Sequence, residues 1–208
     1  KVIKENAYPK KLGEEEIKIM IENILSDWKV LCDAKGITRT IKVRYEDGKI
    51  HLIMRHVEYT LYHCENEQKY QSAEQGPLSY YHREDKTELK TNNYYCELNP
   101  ETLEIIKTLK IDTSKLDTKS LWTFIGLEDA RLVKWDNKFF LCGVRRDTTI
   151  NGQGRMELSE IIIEEDSVTE INRNRIEVKD INSYCEKNWM PIIGEPFNFV
   201  KWANPTEI

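Results

Sequence analysis

The residues best equipped for chemistry lie between Phe124 and Arg155. An acidic pair, Glu128-Asp129, is followed by Arg131, and a basic pair, Arg145-Arg146, by Asp147. A carboxyl group that carries a proton can act as a general acid toward a departing oxygen. Guanidinium forks hold anions such as phosphate through paired hydrogen bonds. Asp147 is a further carboxylate that could serve hydrolysis. Glu128 either binds hydroxyls or orients Arg131; the plainer alternative is a solvated loop with an ion pair to Arg131. Arg55, Arg145, Arg146 and Lys187 are the candidate anion-binding cations, although Arg146 and Asp147 could simply pair at a rim. Glu186, Asn188 and Trp189 suit a sugar, since carboxylate and amide bond hydroxyls and an indole stacks on the apolar face of a hexose. Trp189 suits a core position equally well.

These groups need strand ends to bring them together. Leu132, Val133 and Trp135 lead into Asp136-Asn137-Lys138, and Phe139 to Val144 follow as a second apolar run, which reads as a β-hairpin. Its open ends carry Glu128-Asp129 and Arg145-Arg146. An earlier hairpin is predicted from the alternation of Ile41, Val43 and Tyr45, the turn Asp47-Gly48, and the alternation of Ile50, Leu52 and Met54; Arg55 ends it. Tyr94–Leu98 and Leu103–Ile111 form another hairpin around Asn99-Pro100. Met156–Ile163 and Val168–Val178 form one around Glu164–Ser167. The polar segment 65–92 reads as a long loop or weak edge strand. A third cycle starts at Trp189. Residues Gly13 to Lys35 carry apolar positions at helical spacing and read as an N-terminal helix that ends at Gly36.

The pattern is all-β: two four-stranded antiparallel units, at about 37–112 and 121–180, and the start of a third at 189–208, behind a helical segment at 1–36. Val-Lys-Trp at 133–135 returns at 200–202. Repeated four-stranded units suggest propeller blades, and a β-sandwich is the alternative.

The chain has 208 residues and a net charge of −5, with basic residues scattered among acids, so neither nucleic acid nor an anionic membrane is an expected partner. No apolar run approaches a bilayer span and the first residues lack a signal core, which predicts a cytoplasmic protein. The five cysteines are odd in number and form no C-x-x-C, which predicts reduced thiols. His51, His56 and His63 invite a metal reading. His51 and His56 have opposite parity on a strand and would face opposite ways, so no metal is expected.

The segment GLEDARLVKWDNKFFLCGVRRDT resembles the G-x-E-D-P-R signature of the β-mannoside phosphorylases, glycoside hydrolase family 130, with Ala130 in place of the usual proline. HLIMRHVEY is similar to that family's strand-end arginine segment, and CEKNWMPI to an E-K-N-W segment of its relatives, including β-mannosyltransferases. The resemblance covers about residues 37–208. It implies a partial five-bladed β-propeller, furanosidase-like, with the later blades absent from this sequence. It implies inverting glycosyl transfer on β-linked hexosides, plausibly mannosides, by a phosphorylase, hydrolase or glycosyltransferase. Asp129 then matches the signature aspartate, which makes it the candidate acid, and Arg55, one of Arg145 and Arg146, and Lys187 match phosphate-binding cations. No cofactor is implied, with inorganic phosphate or a sugar-phosphate donor as co-substrate. The expected partners are an oligosaccharide or sugar phosphate, and further blades or an upstream domain of the same protein. The competing reading is a non-catalytic propeller that binds glycan or protein.

Overall fold

The computed structural model describes residues 44–46, 48–57, 59–62, 79–82, 88–178, 183–203 and 206–207, with isolated positions at 13, 15, 16 and 19. The expected N-terminal helix, the 1–36 segment, His63, Cys32 and Cys64 thus fall wholly or almost wholly outside the described residues. Apart from residues 15, 16 and 19, which are helical, the described chain is all-β.

The strands are β1 (Arg44–Glu46), β2 (Lys49–Val57), β3 (Tyr59–Tyr62), β4 (Ser79–His82), β5 (Leu89–Leu98), β6 (Ile105–Asp112), β7 (Phe124–Ile125), β8 (Glu128–Trp135), β9 (Lys138–Arg145), β10 (Arg155–Ile163), β11 (Val168–Arg175), β12 (Met190–Pro191), β13 (Phe199–Val200), β14 (Trp202–Ala203) and β15 (Thr206–Glu207). Nine of them form one sheet in the order β1-β2-β5-β6-β11-β10-β9-β8, with β7 paired to β5. Antiparallel pairing runs through β1-β2-β5-β6 and through β8-β9-β10-β11, and a short parallel contact between β6 and β11 joins the two runs. The sheet curls until β8 returns to β2, giving a nearly closed, barrel-like form.

Local chemistry explains the turns. Trp135 pairs with Lys138 across Asp136-Asn137, whose φ angles are 49° and 61°. Two positive φ values define the type I′ turn that matches strand twist, and Asp and Asn tolerate it best after glycine. At the same end of the unit, Ser167 Oγ donates to Glu164 Oε2 at 2.7 Å across the β10–β11 loop.

Alternating side chains divide the core into layers. Tyr95, Ile111, Leu127, Leu141, Ile161 and Val168 fill the space between the two antiparallel runs. Val133, Trp135, Phe140, Cys142, Val144, Met156 and Leu158 form the opposite face of the second run. Trp189 and Phe199, from the segment after β11, cover that face. Trp135 Nε1 donates to the Ile192 carbonyl at 2.9 Å and fixes the cover in place.

The strand at Tyr94–Leu98 is longer than its apolar residues announce. β5 begins at Leu89, because Thr91 and Asn93 pair with Val57 and Arg55 and Leu89 pairs with Phe124 of β7. Neighbours supply the hydrogen bonds that the polar stretch 89–93 does not advertise. Among the described residues no helix is long and apolar enough to cross a membrane.

Candidate functional site

The site begins with an irregularity in β8. Glu128 lies opposite Val144 and Arg131 opposite Cys142, so Asp129 and Ala130 share the single partner Gly143. This is a β-bulge, and Asp129 takes φ 52°. Left-handed backbone costs an L-residue other than glycine about 1–2 kcal/mol, a strain that recurs at functional positions. A Cβ at position 143 would lie 2.6 Å from the Glu128 carbonyl oxygen, so only glycine lets β9 pass the bulge this closely.

The bulge decides where the carboxylates go. On a regular strand Glu128 and Asp129 would point to opposite faces. Here both reach Arg55, at the far end of β2. Arg55 Nη1 donates to Asp129 Oδ1 at 2.7 Å. Its Nη2 donates to Glu128 Oε2 at 3.2 Å and to Thr91 Oγ1 at 3.3 Å. Arg131 makes no ion pair with either carboxylate among the described residues; it sits opposite Cys142, near that thiol.

The two carboxylates differ in setting. The Asp129 side chain is 48% exposed and that of Glu128 16%. Burial pushes the Glu128 carboxyl above the ordinary glutamate range, and this outweighs the opposing pull of Arg55 and Arg146. Glu128 thus holds its proton more tightly than an ordinary glutamate, and Asp129 is the more open to solvent.

Arg145 and Arg146 separate as consecutive residues at a strand end should. Arg145 is buried and makes ion pairs with Asp147 at 3.2 Å and Glu157 at 3.1 Å. Asp147 also accepts from the Gly126 amide at 3.1 Å. The expected second carboxylate is therefore engaged with Arg145, as is the first member of the basic pair with its acids. Arg146 turns the other way, toward Glu128. Its guanidinium lies over Phe124 at 5.4 Å and Tyr184 at 5.8 Å, and Nη2 donates to Cys185 Sγ at 3.6 Å.

Two exposed aromatics flank the loop after Arg146, and one of them, Tyr184, lies against Arg146. Tyr184 donates to the Asn151 carbonyl at 3.1 Å. Trp122 rests flat on Gly152, where a Cβ would come within 2.2 Å of the indole Nε1. Gly152 also has φ +66°, a second reason for glycine there.

The later cluster does not join this group. Trp189 is buried against Phe199 and donates from Nε1 to Glu186 Oε2 at 3.2 Å; Ser183 Oγ donates to the other carboxylate oxygen at 2.7 Å. The core role is the one Trp189 takes. Lys187 and Asn188 are exposed, and Asn188 turns the chain with φ 66°. His51 and His56 contact Tyr95 and Tyr94, on opposite faces of β5; His51 Nδ1 and the Tyr95 hydroxyl are 2.6 Å apart.

A cavity of about 400 Å³ lies between the two antiparallel runs. Of the residues singled out in the sequence, Arg145 alone lines it. Thr91 links it to Arg55. Thr91, Trp122 and Tyr184 escaped the sequence reading: each belongs to the group only through register or loop packing.

No family model, curated protein or solved structure matches this chain.

Proposed function

We propose that this chain is a carbohydrate-active enzyme, or part of one, that transfers a glycosyl unit with inversion on β-linked hexosides, plausibly mannosides. The carrying observation is the fork of Arg55 across Asp129 and Glu128, which joins the two antiparallel runs at one point. In this reading the two runs are neighbouring blades of a partial five-bladed propeller, and their strand ends meet at the sugar.

The chemistry follows from charge. Cleavage builds positive charge on the sugar ring and negative charge on the leaving oxygen. Asp129 supplies the proton to that oxygen. Asp129 Oδ1 is occupied by Arg55 Nη1, so the guanidinium must be drawn off before that oxygen can face a leaving group. An incoming phosphate or sugar phosphate competes for the same fork and does this. Arg146 offers the second positive charge. With phosphate as acceptor no base is required, which agrees with Asp147 being committed to Arg145.

The test is release of hexose 1-phosphate from β-mannobiose in phosphate buffer. Asp129→Asn is expected to lower the rate by roughly 10²–10⁴-fold, the range for loss of a general acid. A rate unchanged by the substitution removes Asp129 from this role.

Trp122 and Tyr184 favour a second reading, a glycan-binding site without turnover. Exposed aromatic rings can hold a sugar with no acid at all. Glycan binding that depends on Trp122, with no product formed, would establish it.

A further inference from the structure

We infer that the cavity between the two antiparallel runs is a second binding site, for a neutral cyclic polyol of about hexopyranose size. The inference does not rest on the function proposed above.

The cavity holds about 400 Å³, within the range of roughly 300–1,000 Å³ usual for small-molecule sites. Its lining has two characters. Ile111, Leu127 and Leu141 form an apolar wall. Thr91, Asn93, Arg145, Ser159 and Glu170 are its buried or half-buried polar groups, while Lys110, Asp112 and Asp117 are exposed and Lys90 is half-buried.

The buried charges in this lining are already balanced. Arg145 is paired with Asp147 and Glu157. Glu170 is paired with Arg173, which also reaches Asp117 at 3.0 Å. An ionic ligand seated among these buried groups would either break one of the pairs or bring in an uncompensated charge, and both are costly. A neutral ligand meets neither penalty.

Hydrogen-bonding capacity remains open. Ser159 is 1% exposed, and its Oγ has no hydrogen-bond partner among the described residues. Asn93 spends its Nδ2 on the Leu127 carbonyl at 2.8 Å and leaves Oδ1 without a partner among them. Ser159 can both donate and accept, while Asn93 Oδ1 only accepts. A ligand that satisfies both must carry hydroxyl groups, and to cover the wall it must also present C–H faces. A pyranose or cyclitol ring has both.

The experiment is a titration of the full chain with mannose, glucose and myo-inositol, read by calorimetry and by thermal shift, with phosphate and sulfate as ionic controls. At least one ring polyol is expected to bind. Ser159→Ala should weaken it roughly 3- to 10-fold, the loss of one hydrogen bond, while Asp129→Asn should leave it unchanged. If the alanine variant fails to fold, Ser159→Cys carries the same expectation. Binding of none of the polyols, affinity indifferent to Ser159, or a response to phosphate and sulfate in their place each overturns the inference. Polyol binding that Asp129→Asn abolishes also overturns it, by assigning the ligand to the Arg55 site.

Discussion

Arg55 Nη1 lies 2.7 Å from Asp129 Oδ1, although the two residues are 74 positions apart in the chain. One belongs to the first antiparallel run and the other to the second, so this pair is a direct report of how the runs dock. A guanidinium is a planar fork, and a lysine cannot span both carboxylates. Arg55→Lys is therefore expected to keep the fold and to lose most phosphate dependence of any transfer activity. A variant whose response to phosphate matches the parent would separate Arg55 from the anion.

The buried cation behaves differently. Arg145 compensates Asp147 and Glu157 inside the protein. Arg145→Met would leave Asp147 without its cation and Glu157 with Arg175 alone, 3.5 Å away, and is expected to destabilise by about 3–5 kcal/mol. Denaturant unfolding measures this. Lys187→Ala, at an exposed position, should stay within about 0.5 kcal/mol of the parent.

The bulge has its own signature. Gly143→Ala drives a methyl group to 2.6 Å from the Glu128 carbonyl and 2.9 Å from Leu127. Backbone must shift, and a loss of about 1–3 kcal/mol is expected, as for overpacking. The same change should move Glu128 and Asp129 away from Arg55. Activity should then fall further than stability explains, which thermal melts and rates measured side by side would show.

Glu128 predicts a pH dependence. Its folded carboxyl holds a proton more tightly than the ordinary value of 4.5, chiefly through burial. The folded state then binds more protons than the unfolded one between that value and the raised one. The stabilising contribution is complete below about 4.5 and is lost as pH rises through the raised value. Glu128→Gln should remove this slope, seen as the difference between two stability–pH curves. Parallel curves would show that Glu128 does not titrate across that interval.

Thiol reactivity gives a further check. Burial pushes the Cys142 thiol up to about 12, and Cys96 is buried as well. Cys185 is half-buried and lies beside Arg146. Alkylation of the native protein, mapped peptide by peptide, should label Cys185 well before the other two. Equal labelling of all three would contradict the layering of the core.

Short-range features were legible without a structure. Asp136-Asn137 between apolar runs announces its turn because positive φ at both positions suits few residues other than glycine. Leu132, Val133 and Phe139–Val144 announce strands because burial on a sheet needs such side chains. Glu128, Asp129 and Arg55 stood out because charged groups at strand ends are not needed for packing. The start of β5 did not, since the partners that make Leu89–Asn93 a strand lie on other segments.

By itself, then, the sequence determined that the protein is built from β-hairpins and which polar residues stand at their ends, because turn geometry and side-chain alternation are properties of a few consecutive residues. Tertiary structure alone decided which of those residues meet. Arg146 rather than Arg145 faces Glu128, Arg55 rather than Arg131 holds the acidic pair, and Trp189 packs into the core. Each outcome depends on a bulge, a register or the docking of two sheets, and those are settled by packing between segments far apart in the chain.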